Sequence, residues 1–272
     1  MNQLPEDEIR ESVTKKYSRA AERDPADAAC CTPTCCSGSE TTSQDGLLTL
    51  SAQMGYTPEE LAVVPEGANL ALGCGNPQGI ASLQPGETVL DLGSGAGLDC
   101  FLAARQVGLE GRVIGVDMTP EMVQRARENA RSGGYTNVEF RLGEIEHLPA
   151  ADRSVDVILS NCVINLSPDK PQVFREAYRV LKDSGRLAIS DTVAVRRLPE
   201  ELKNDLDLYS SCISGAASID DLQDILAESG FDEIQIEVEK GSSEFIQEWS
   251  PGNDPADYIR SALITAVKHQ QP

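Results

Sequence analysis

The stretch Thr88-Val-Leu-Asp-Leu-Gly-Ser-Gly-Ala-Gly-Leu-Asp-Cys100 constrains the fold more than any other. A short β-rich apolar run ends at Leu92. Gly93, Gly95 and Gly97 then alternate through a turn, and Phe101-Leu-Ala-Ala104 opens an apolar helix. Glycine lets a backbone turn sharply and come close to a ligand. Strand, glycine turn and helix N-terminus in that order build a nucleotide pocket at the carboxyl edge of a parallel sheet.

Two acids refine the ligand. A second strand, Arg112-Val-Ile-Gly-Val-Asp117, ends on an acid 26 residues after Asp91, where a ribose diol is usually held. Asp91 itself opens the loop. It would repel a pyrophosphate and attract a cation, which points to S-adenosylmethionine, with its positive sulfonium and amino group. A turn cap is the other reading of Asp91. Gly93, Ser94, Gly95 and Gly97 of the loop, Met118 after Asp117, and Asn161 at the end of a later strand complete the expected cofactor contacts. In Gly143-Glu-Ile-Glu-His-Leu-Pro149, Glu144 and Ile145 are placed to flank an adenine, or else form a polar turn.

From residue 88 the chain alternates strand and helix. Strands are expected at 88–92, 112–117, 137–142, 155–161 and 186–192, and helices at 97–108, 120–132, 171–182, 200–211 and 219–229. Two further strands are expected at 233–239 and 261–268. The alternation predicts a mostly parallel, seven-stranded α/β sheet of Rossmann-like type with helices on both faces. An N-terminal extension precedes it. Ile9, Val13 and Tyr17 recur at helical spacing over 6–22, either packed on the main domain or lidding the cofactor. Thr57, Pro58 and Glu60 spell a capping box. Three regions result: 1–46, a helix and a cysteine-rich loop; 47–232, the cofactor-binding core; and 233–272, strands completing the sheet.

The 272 residues include 44 acidic and 23 basic side chains, a net charge of −21. Such a surface argues against nucleic acid or an anionic membrane as partner. No apolar run is long enough to span a bilayer. The acidic N-terminus lacks the basic-then-apolar layout of a signal peptide, so a cytoplasmic location is expected; a monomer is expected as well.

Against that background eight cysteines matter, because the cytosol keeps thiols reduced and favours metal-binding or redox roles. Only His147 and His269 accompany them. Cys30, Cys31, Cys35 and Cys36 form two vicinal pairs in a loop-like segment. Zinc, an exposed thiol relay and an inert tail are all open readings. Cys74, Cys162 and Cys212 fall on three separate loops expected at one edge of the sheet. Cys100, on the first turn of the helix after the glycine loop, is expected in the core or supporting the site rather than ligating.

With Asp91-Leu-Gly-Ser-Gly-Ala-Gly97, Gly73-Cys-Gly75, Ser160-Asn-Cys-Val-Ile-Asn-Leu166 and Cys212 in view, the chain from about residue 47 to 272 resembles the arsenite S-adenosylmethionine methyltransferases, of the class I methyltransferase superfamily. The glycine loop alone marks only that superfamily; the Asn-Cys-Val-x-Asn-Leu segment is the specific part. The resemblance implies methylation of thiolate-bound trivalent arsenic, arsenite to methylated arsenicals, for detoxification. It implies Cys74, Cys162 and Cys212 as the arsenic ligands, and a glutathione- or thioredoxin-type thiol reductant as co-substrate. A fourth, N-terminal cysteine that forms a disulfide during turnover would come from Cys30, Cys31, Cys35 or Cys36. Relatives with two ligand cysteines leave Cys74 either a ligand or a disulfide partner. Arsenic(III) is soft and takes thiolates, and its lone pair attacks without losing a proton, so no general base is needed. Two alternatives stand beside this reading. One is a class I methyltransferase acting on another small metabolite. The other is a non-catalytic, thiol-rich metalloid-binding protein, against which the intact cofactor loop argues.

Overall fold

β1 (Thr88–Leu92) lies in the middle of the sheet, as its almost unbroken apolar run requires of a strand covered on both faces. The computed structural model describes residues 4–22, 44–250 and 252–269. Its strands are β1, β2 (Arg112–Asp117), β3 (Val138–Leu142), β4 (Val155–Asn161), β5 (Leu181–Ala194), β6 (Ala217–Ser218), β7 (Asp232–Val238) and β8 (Ile259–Val267). They order as β3-β2-β1-β4-β5-β8-β7, and β6 pairs with the end of β5. The first five are parallel; β8 runs antiparallel to both β5 and β7. The expected seven strands are therefore present, with the two-residue β6 as an eighth.

The helices are α1 (Glu6–Glu22), α2 (Gln44–Gln53), α3 (Pro58–Ala62), α4 (Gln78–Ala81), α5 (Leu98–Val107), α6 (Pro120–Ser132), α7 (Lys170–Val180), α8 (Glu200–Lys203), α9 (Leu206–Tyr209), α10 (Ile219–Glu228) and α11 (Ser243–Ile246). The period-two pleat sends alternate β1 residues to opposite faces. Val89 joins a core with Phe101, Val113 and Leu159, while Leu90 joins one with Ile158, Phe174 and Leu226. A third apolar cluster caps the carboxyl edge. It gathers Ile9 and Val13 of α1, Tyr209, Phe245 and the three cysteines 74, 162 and 212.

Several elements differ from the sequence reading. The helix expected over 200–211 is two short turns, because the Asp205 side chain accepts from the Asp207 and Leu208 amides and starts a new N-terminus. β5 is longer than expected, and α2, α4 and the helical turns of 240–249 were not anticipated. The capping box at Thr57 forms in both directions, at 3.2 and 2.8 Å. The boundary drawn at 46/47 falls within α2, and that at 232/233 within β7, whose partner β8 is itself paired along β5. Among the described residues no helix is long and apolar enough to cross a membrane.

Candidate active site

The glycine turn does what its composition suggests. Gly93, Gly95 and Gly97 all take positive φ, at 66°, 51° and 100°, a region other residues enter only with strain. Gly93 also passes Val163 so closely that an added Cβ would lie 2.7 Å from the Val163 Cβ. The turn opens into a cavity lined by Asp91, Gly93, Ser94, Gly95, Asp117, Met118, Ile145 and Asn161. Gly97 does not line it; it caps α5. Glu144 is exposed and does not line it either, whereas Ile145 and Glu146 do. The turn after β3 thus presents the side chains one and two positions beyond the acid chosen from sequence.

Asp117 accepts from the Gly95 amide at 2.9 Å and the Thr119 amide at 2.8 Å, which fixes the loop against the end of β2. Asp91 accepts from the Cys100 thiol at 3.2 Å, so Cys100 supports the cofactor loop as expected. Asp99 lies beside it, a residue that sequence reasoning missed. It accepts from the Tyr56 hydroxyl at 2.9 and 3.0 Å and from the Gln78 and Asn161 amides. Asn161 also donates to Gly75 O and accepts from the Cys74 amide, so it ties the cofactor corner to the Cys74 loop. Burial pushes the Asp91 carboxyl well above the usual carboxylate range, and the neighbouring Asp99 charge pushes it further; burial also raises Asp99 and Asp117. The hydrogen bonds to the three come from amides, a hydroxyl and a thiol, none from a cationic side chain. The Ser94 hydroxyl, buried on the same wall, has no hydrogen-bond partner. Buried acids with no cation among these donors, and an idle hydroxyl, fit a cationic ligand carrying a diol. S-adenosylmethionine is such a ligand.

The three cysteines meet at the adjoining edge. β4 pairs with β1 in parallel, Leu92 opposite Ser160, which sets Cys162 next to the glycine loop. The Cys162 sulfur lies within 4.8 Å of the Cys74 sulfur. The Cys212 thiol donates to Cys162 O at 3.0 Å. Cys162 and Cys212 both hold φ at 59°. Such left-handed geometry is costly for a residue with a Cβ and persists where surrounding structure enforces it. Hydrogen bonds from its two thiol neighbours, then burial, raise the Cys162 thiol well above its usual pKa; burial raises Cys74. Cys162 lines the cofactor cavity and also a second opening formed with Lys16, Tyr17, Leu72, Cys212 and Trp249. It therefore stands in the wall between the two. Cys30, Cys31, Cys35 and Cys36 lie outside the described residues.

Residues 83–230 match a methyltransferase-domain family. The chain is 47% identical to the arsenite methyltransferase of Halobacterium salinarum, over 96% of this chain and 67% of that protein. This chain belongs to the arsenite methyltransferase family. The arsenite methyltransferase of Aquipseudomonas alcaligenes is 48% identical over 62% of this chain, which spans half of that protein's length. The solved structure of the Chlamydomonas reinhardtii arsenic(III) S-adenosylmethionine methyltransferase superposes with a TM-score of 0.60 at 35% identity, covering 82% of this chain and 74% of that one.

In this member of the arsenite methyltransferase family, α1 straps both openings. Arg10 pairs with Glu146, Ser12 shares a hydrogen bond with Ser210, and Lys16 donates to Ser211 at 2.6 Å. Tyr17 lines the cavity and the second opening alike. Burial raises its hydroxyl well above its usual pKa, and the nearby Cys212 and Cys162 raise it further. Glu146 accepts from Ser167 at 2.6 Å and faces the cavity. Asp191 sits beside Cys74 and Cys162, with burial raising its carboxyl to about 6. Tyr56, Asp99, Glu146 and Asp191 carried no motif. Only the folded sheet edge gathers them.

Proposed function

We propose that this chain methylates trivalent arsenic held by Cys74, Cys162 and Cys212, drawing the methyl group from S-adenosylmethionine. The observation that carries the reading is Cys162. It lines the cofactor cavity, its sulfur lies within 4.8 Å of the Cys74 sulfur, and its carbonyl accepts from the Cys212 thiol. Loading needs no thiolate in advance. Arsenous acid exchanges three hydroxides for three thiols, and the thiol protons leave in three waters. The raised pKa of Cys74 and Cys162 is compatible with this route, because a neutral acid and neutral thiols give a neutral tris-thiolate. The cofactor, when bound, supplies a methyl group on a sulfonium leaving group. Asp91 and Asp99 hold its cationic end and Asp117 its ribose, while α1 closes the site from water. Proximity and orientation of this kind supply roughly 7–11 kcal/mol of a barrier. Methyl transfer raises arsenic formally to the pentavalent state. Two sulfurs then leave as a disulfide, returning arsenic to the trivalent state, and an external thiol of glutathione or thioredoxin type reduces the disulfide.

X-ray absorption on the arsenite-loaded protein tests the ligand set. Three sulfur neighbours are expected, falling to two in Cys162→Ser and in Cys212→Ser, with S-adenosylmethionine affinity within about twofold of wild type. Loss of cofactor binding in either variant would make that cysteine structural instead.

A further inference from the structure

Three consecutive residues near the end of β5 each address the cysteine loops. Ser190 O accepts from the Cys162 amide at 2.8 Å, and Ser190 Oγ lies 3.8 Å from the Cys74 sulfur. Thr192 Oγ1 donates to Cys212 O at 2.7 Å. Between them, Asp191 brings a carboxylate oxygen to a point where it and the Cys74 and Cys162 sulfurs all lie within 4.8 Å of one another. Asp191 is 3% exposed. Its oxygens accept from the Ile164 amide (2.9 Å), the Asn165 amide (3.3 Å), the Asn165 side chain (2.8 Å) and the Thr192 amide (2.7 Å). Those bonds lock its position. Lys170 is an opposing charge felt at Asp191, but it is half-buried and its ammonium donates to Ser167 O.

We infer that Asp191 is the counter-charge for arsenic during methyl transfer. The inference rests on the proposed reaction. The tris-thiolate is neutral before attack. When the arsenic lone pair forms the new bond to carbon, the carbon–sulfur bond breaks and its electron pair stays on the departing sulfur. The positive charge that arrived as the sulfonium, beside Asp91 and Asp99, ends on arsenic. A buried cation is costly unless an anion already waits there. Acids stand at both ends of that charge displacement: Asp91 and Asp99 at its start, Asp191 at its end. The arrangement favours the charge-shifted state over the neutral one, so Asp191 acts on the rate of transfer rather than on arsenic binding.

A matched pair of variants tests this while holding side-chain length constant. Asp191→Glu and Asp191→Gln perturb packing alike and differ in charge. Each protein is loaded with arsenite, its arsenite and S-adenosylmethionine affinities are measured, and methylated arsenic is followed in a single turnover. Asp191→Gln should transfer about a hundredfold more slowly than Asp191→Glu, the size typical of removing one preorganised electrostatic group. Arsenite affinity should differ by less than about threefold between them. Asp191→Asn, if it folds with an unchanged melting temperature, should match Asp191→Gln. Equal transfer rates in the pair, or a parallel loss of arsenite binding in Asp191→Gln, would overturn the assignment. A wild-type chain that binds arsenite but never methylates it would remove the proposed reaction itself, and this role with it.

Discussion

Asp91 and Asp99 share one buried corner, and each is harder to ionise than an exposed carboxylate. Their raised pKa values fix the sign of two effects. As pH falls through them, the carboxylates take up protons and lose their attraction for a cation. S-adenosylmethionine should therefore bind more weakly at pH 5.5 than at pH 8, and calorimetry at the two values measures it; equal affinities would contradict the assignment. The ligand-free protein behaves oppositely. A carboxyl that protonates more readily folded than unfolded gains relative stability as pH falls through its folded pKa. Asp117 acts through hydrogen bonds. Asp117→Ala should weaken cofactor binding by about tenfold, since one such bond contributes on the order of 1 kcal/mol and bonds to a charged acceptor more. At this scale Asp91, Gly93, Gly95 and Asp117 were legible as cavity residues, because strand, loop and acid follow one another along the chain. Asp99 was not. Its role arises from Tyr56, Gln78 and Asn161, which are distant in sequence. Of Glu144 and Ile145 only Ile145 lines the cavity, with Glu146 beside it, because the direction in which a turn points its side chains is not encoded in composition.

Elements carry the coupling between the two openings. α1 was legible as a helix from the spacing of Ile9, Val13 and Tyr17, but its contacts with Glu146, Ser210 and Ser211 were not, since long-range polar pairs leave no periodic mark. Ile9 and Val13 are almost fully buried, at 1% and 2% exposure. Val13→Asp would place an unpaired charge in that cluster. It should loosen arsenite and cofactor together, with the sheet's own melting transition little changed, because α1 packs on the site loops. Ligand binding intact after this substitution would show that α1 is not the closing element. Gly93→Ala tests the neighbouring contact. A side chain at φ 66° against Val163 should cost about 1–3 kcal/mol and displace the adjoining Cys162, read as a lower melting temperature and weaker arsenite binding. The sequence also left the break at Asp205 unseen. A capping aspartate within an otherwise helical pattern is ambiguous until its side chain finds the Asp207 and Leu208 amides.

For the whole molecule, the sheet order follows from alternation of strand and helix, and β8 joins what the chain order separates. Ser261 on β8 donates to Cys74 O at 2.7 Å, so the last strand also braces the Cys74 loop of the proposed arsenic site. A net charge of −21 surrounds this frame. Self-repulsion among exposed acids is screened as the Debye length falls from about 10 Å at 0.1 M salt to about 3 Å at 1 M. The melting temperature should rise by several degrees over that range, and a flat response would mean that local ion pairs already absorb the repulsion. The most direct test is of the reaction. Purified protein is incubated with arsenite, S-adenosylmethionine and a thiol reductant, and the arsenic species are separated by chromatography with element-specific detection. Methylated arsenic that requires both protein and cofactor, and disappears in Cys162→Ser, is the expected result. Arsenite left unchanged by a protein that binds the cofactor would contradict the proposed function.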